Sequence, residues 1–134
     1  MQRWLAALAL LVPLSGAQAA ASLSGFWFGT QPYDSDASYL LTIRTDGSFQ
    51  TLHHHCRKGK GLDRIVAGTW ALEGDTIIYH VATVGGQIRP RVDTFHLVSL
   101  DDKQQSTIWM PRGLSYVARR VDDQFRLPSC DLVS

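Results

Sequence analysis

The sequence predicts an all-β protein, a small antiparallel up-and-down β-barrel of about eight strands, with a β-sandwich as the alternative. Three observations carry that expectation. Apolar residues alternate with a period of two, as in Tyr39, Leu41, Ile43 against Leu40, Thr42, Arg44, which is the pattern of half-buried strands. Turn signals recur at short, regular intervals: Asp46-Gly47, Glu73-Gly74-Asp75, Gly85-Gly86, Asp101-Asp102-Lys103 and Arg112-Gly113. No extended stretch shows the 3.6-residue spacing of a helix. A meander of this kind hides its strand edges most simply by closing on itself.

The elements follow in order. Residues 1–19 are expected to be a secretory signal peptide. Arg3 gives a positive start, Leu5 to Leu14 form an apolar run, and Ala17-Gln18-Ala19 is a small-x-small cleavage site. That run is shorter than the roughly 20 residues that span a bilayer, so no membrane span is expected. Residues 20–134 suit a single domain. Strands are expected near 24–31, 38–45, 48–56, 65–72, 76–84, 91–99, 105–110 and 114–121. Pro90 belongs at a strand start or on a bulge, because it cannot donate to a ladder. The segment 57–64 reads as the one long connection, a mobile loop. The stretch 122–134 reads as an irregular tail that Phe125 and Leu127 pack against the barrel. A chain of this size favours a filled or narrow interior over a wide cavity.

Without Arg3 the basic residues balance the 12 acidic ones. A general nucleic-acid binder would carry a basic excess, so no nucleic-acid partner is expected. Export places Cys56 and Cys130, the only cysteines, in an oxidising compartment. A pair there is most simply one disulfide. The expected localisation is periplasmic or secreted.

Gly25-Phe26-Trp27 opens the first strand, and Gly68-Thr69-Trp70 repeats the Gly-x-Trp spacing. These residues resemble the signature of lipocalins and the wider calycin group, and the second module is similar to small bacterial lipocalin-like proteins of the cell envelope. The resemblance implies a barrel in which Trp27 closes one end beneath a basic residue of the last strand, Arg119 or Arg120. It also implies a binding function, and a disulfide between mid-barrel and tail recurs in that family.

His53-His54-His55-Cys56 is the most reactive-looking segment. On a strand, His53 and His55 share one face, and imidazoles at that spacing suit zinc or copper. Arg57, Lys58, Lys60 and Arg64 follow at once and are suited to an anionic ligand or an acidic partner. Trp109-Met110, beside a turn, is a candidate apolar contact. Asp34-Ser35-Asp36 lacks the glycine and glutamate of a calcium loop. No Gly-x-Ser-x-Gly elbow or phosphate loop is present. The expectation is a non-enzymatic exported binding protein without a cofactor, recognising a small ligand or an envelope protein. The alternative is a metal-binding protein that uses His53 and His55.

Overall fold

In the computed structural model, which describes residues 16–130, a short helix precedes a closed antiparallel barrel with strand order β1 to β8. The elements are α1 (Gly16–Leu23), β1 (Gly25–Gln31), β2 (Asp34–Ile43), β3 (Ser48–Arg57), β4 (Lys60–Glu73), β5 (Thr76–Val84), β6 (Gln87–Leu100), β7 (Gln104–Trp109) and β8 (Leu114–Val121). Each strand pairs with its neighbour in sequence, and β1 pairs with β8 from Phe26↔Val121 to Gly29↔Ala118. The barrel, not the sandwich, is the architecture. The expected signal peptide lies outside the described residues as far as residue 15, and residues 16–19 begin α1. Among the described residues no helix is long and apolar enough to cross a membrane.

Two strands run further than the apolar alternation suggested, and this removes the expected loop at 57–64. β3 continues to Arg57, β4 starts at Lys60, and Arg57 pairs with Lys60. Only Lys58 and Gly59 turn the chain, with φ of 52° and 75°. Two consecutive positive φ values make a tight hairpin turn whose twist matches the flanking strands. The apolar alternation fades at Cys56 because this hairpin projects beyond the core, so neither face needs to be apolar. Similarly, β6 begins before Pro90. The β5–β6 register shifts between Val81↔Arg91 and Thr83↔Ile88, so Pro90 sits in a bulge. The β6–β7 pairing begins only at Phe95 and asks nothing of Pro90.

The core fills one end. Leu23 of α1, Trp27, Ile43 and Ile77 are fully buried. The Trp27 indole donates to Leu23 O at 2.8 Å, and Trp70 donates to Arg44 O at 2.9 Å, so both Gly-x-Trp modules tie a tryptophan to backbone at the closed end. Arg120, not Arg119, lies over the Trp27 ring, its guanidinium carbon 4.2 Å from the ring centroid. It also donates to Ser24 O at 2.7 Å, Ser22 O at 2.6 Å and Asp102 O at 2.9 Å. Gly25 has φ +131°, and a Cβ there would lie 2.5 Å from the Arg120 guanidinium. The signature glycine therefore makes room for the arginine that covers the signature tryptophan. Arg119 faces outward between Phe28 and Phe125, 5.2 and 5.3 Å from their ring centroids.

The tail crosses the outside of the barrel. Phe125 packs on Phe28 at 4.9 Å between centroids, and Cys130 is disulfide-bonded to Cys56 across 74 residues of sequence. Between these two anchors lies an outward row of paired residues, Phe28↔Leu40 and Leu40↔Leu52.

Candidate functional site

The barrel is not filled. A cavity of about 1070 Å³ opens at the end opposite α1, at the upper limit of the usual size of a small-molecule site. This corrects the expectation of a narrow interior. β4 and β6 each run 14 residues, longer than the core is deep. In the upper half their inward positions carry Arg64, Arg91 and Asp93, charged groups that keep contact with water and do not close the lumen as apolar side chains would.

The floor of the cavity is aromatic. Phe49, Tyr79, Phe95, Tyr116 and Tyr39 form a continuous chain of tilted and edge-on contacts, with neighbouring centroids 4.8, 5.6, 5.7 and 6.1 Å apart. Burial pushes the phenols of Tyr39 and Tyr79 far above the ordinary tyrosine range, and Tyr116 is raised for the same reason. All three therefore remain neutral hydroxyls. Gln105 projects from β7 into this layer, 4% exposed. Among the described residues its Nε2 is buried without a hydrogen-bond partner, as is Oε1 of Gln31 nearer the mouth. A buried unpaired amide is costly, and both amides line the cavity.

The mouth is polar and charged. His53, opposite Arg64 in the β3–β4 register, lies 3.4 Å from the Gln31 amide through Nδ1. Its pKa is lowered, first by burial and then by Arg64 and Arg91, with Asp93 opposing. Arg91 is paired with Asp93 at 3.0 Å, His55 with Asp34 at 3.1 Å and His54 with Asp63 at 2.6 Å. Arg64 has no carboxylate within ion-pair distance among the described residues.

The expected site residues therefore divide. Arg64, His53, His55 and Trp109 line the cavity. Arg57, Lys58 and Lys60 are exposed around the hairpin turn and do not line it, and Met110 is 54% exposed on the β7–β8 turn. His53 and His55 share a face but spend their nitrogens on different partners, Gln31 and Asp34. Among the described residues, the group with metal-ligand spacing is instead His54, Cys56 and Cys130. The sequence singles out neither Gln105 nor Arg91, and it places His54 in the reactive segment without a ligand role. Strand alternation puts Tyr39 on the face of Leu41 and Tyr79 on the face of Ile77, but does not distinguish a packed core from a cavity wall.

Comparisons with protein-family models, with curated proteins and with solved structures found no match. The compatibility with a lipocalin-like fold rests on the closed eight-strand meander.

Proposed function

We propose that this protein is a non-enzymatic, exported, lipocalin-like binding protein of the cell envelope or its surroundings, which takes a small amphipathic molecule into the barrel through the open end. The observation that carries this reading is the composition of the cavity wall. An aromatic floor contains one buried unpaired amide donor, Gln105, beneath a mouth holding the unpaired guanidinium of Arg64. Such a wall suits a ligand with an apolar or aromatic body, a hydrogen-bond acceptor buried at its deep end, and an anionic group at the mouth. The metal-binding alternative at His53 and His55 receives less support, because Arg64 and Arg91 raise the local positive potential and disfavour a cation.

Native mass spectrometry of protein taken from an exporting host, with titration of an anilinonaphthalene sulfonate probe, tests the reading. One saturable site, lost when Gln105→Trp fills the floor, is expected. An absence of saturable binding in wild type, or the same affinity in the filled variant, would overturn it.

A further inference from the structure

The tail forms a strap whose anchor, on the outer wall beside the cavity mouth, holds an arrangement that a structural disulfide does not require. Strand alternation points His54 and Cys56 outward, on the face that the tail crosses. His54 is 11% exposed, and its Nδ1–H donates to the Asp63 carboxylate at 2.6 Å. Its other nitrogen, Nε2, lies 3.1 Å from Cys130 Sγ and 3.5 Å from Cys56 Sγ. Gly61 stands opposite Cys56 in the β3–β4 register. A Cβ there would fall 2.9 Å from His54 Cε1 and 3.5 Å from Cys130 Sγ, so the glycine leaves the space in which the ring meets the sulfurs.

We infer that reduction of Cys56–Cys130 turns this anchor into a binding site for a thiophilic divalent metal such as zinc, with the two thiolates and His54 Nε2 as ligands. The inference does not depend on the cavity's occupant. A dithiol reductant supplies the electrons: it becomes its own disulfide, while Cys56 and Cys130 each gain a proton. Metal binding then releases those two protons as the thiolates coordinate. With ordinary zinc–sulfur and zinc–nitrogen bonds, tetrahedral ligands N and S lie about 3.6 Å apart and two sulfurs about 3.8 Å apart. The N–S separations of 3.1 and 3.5 Å are already close to that, so the sulfurs need only part from each other. Asp63 fixes the ring orientation and the tautomer, the role a carboxylate plays behind a metal-bound histidine. Three protein ligands leave a fourth position open for water or for a partner's side chain.

The test uses the full exported chain, oxidised and reduced. A phosphine reductant, itself converted to phosphine oxide, does not compete for the metal as a dithiol would. Cobalt(II) absorption reports thiolate ligation, and competition with a chelator gives the zinc affinity. Reduced protein should bind one equivalent with a thiolate-to-cobalt charge-transfer band that oxidised protein lacks. His54→Ala, which keeps both cysteines, should weaken zinc binding at least 100-fold. Asp63→Asn should weaken it about 10–100-fold. The His53→Ala/His55→Ala double variant should bind as wild type does. The inference fails if reduced wild type binds no more tightly than Cys56→Ser/Cys130→Ser, if His54→Ala changes nothing, or if the double variant abolishes binding. It fails equally if reduction removes the near-ultraviolet circular dichroism of the barrel and zinc does not restore it.

Discussion

At the scale of single residues, Trp27 and Arg120 define the closed end together. The indole is fully buried, and the guanidinium over it bonds three backbone carbonyls while facing the ring. Trp27→Ala should destabilise the protein by about 3–5 kcal/mol in denaturant unfolding, the range for a buried large aromatic. A loss under about 1 kcal/mol would contradict this packing. Arg120→Lys should cost about 1–3 kcal/mol, because an ammonium cannot span the same carbonyls or stack flat on the ring. His53 gives a pH effect of definite sign. Its folded pKa lies below the unfolded value of about 6.5, so the unfolded chain takes up this proton first. The contribution to stability is complete above about pH 6.5 and is lost as pH falls towards the folded pKa. His53→Gln should therefore flatten the loss of stability that wild type shows below pH 6.5. Parallel curves for the two proteins would mean that the ring is not held neutral.

At the scale of elements, the strands were legible where one face must be apolar and illegible where neither must. β5 and β8 match their expected spans, 76–84 and 114–121. The hairpin joining β3 to β4 was missed because Arg57, Lys58 and Lys60 carry no alternation, although Gly59 in the left-handed region is a turn signal in its own right. The cavity was missed for a related reason: alternation identifies an inward position but not whether the residue there meets a neighbour or an empty lumen. The tail was legible in part. Phe125 and Cys130 were assigned as anchors, but which outer strands the tail crosses depends on registers that no local pattern encodes. Its two anchors differ in kind. In the chain-entropy picture, closing a loop of this length stabilises by about 4 kcal/mol, whereas Phe125 contributes through burial against Phe28 and Arg119. Cys130→Ser should lower the unfolding free energy by about 2–4 kcal/mol and speed amide exchange across residues 122–130. Phe125→Ala should leave the disulfide formed and loosen only the near end of the strap. Unchanged exchange in both variants would show that the strap adds nothing to the wall it covers.

At the scale of the whole molecule, the barrel separates its charges along its axis. The open end carries Arg57, Lys58, Lys60, Arg64, Arg89, Arg91 and Arg112 against Asp34, Asp36, Asp63 and Asp93, while the closed-end turns carry Asp46, Glu73, Asp75, Asp101 and Asp102 against Arg44 and Lys103. The formal charges nearly cancel overall, so the net value conceals a dipole that presents its positive end to whatever enters the cavity. Such a field acts on the rate of encounter, and salt screens it over about 8–10 Å. The hairpin tip and Arg64 should therefore differ in what they control. Arg57, Lys58 and Lys60 do not line the cavity, and Arg64 does. Replacing the three tip residues with serine should slow association of an anionic amphipathic probe several-fold at low salt, leave the dissociation rate unchanged, and lose its effect as salt rises. Arg64→Ser should instead raise the dissociation rate and weaken binding about tenfold or more at any salt, as expected when a partly desolvated charge pair loses one member. Stopped-flow measurements with the fluorescent sulfonate at low and high ionic strength distinguish the two. If the tip variant alone weakens equilibrium binding and Arg64→Ser has no effect, the anion is held on the projecting hairpin, and the cavity mouth is not the recognition site.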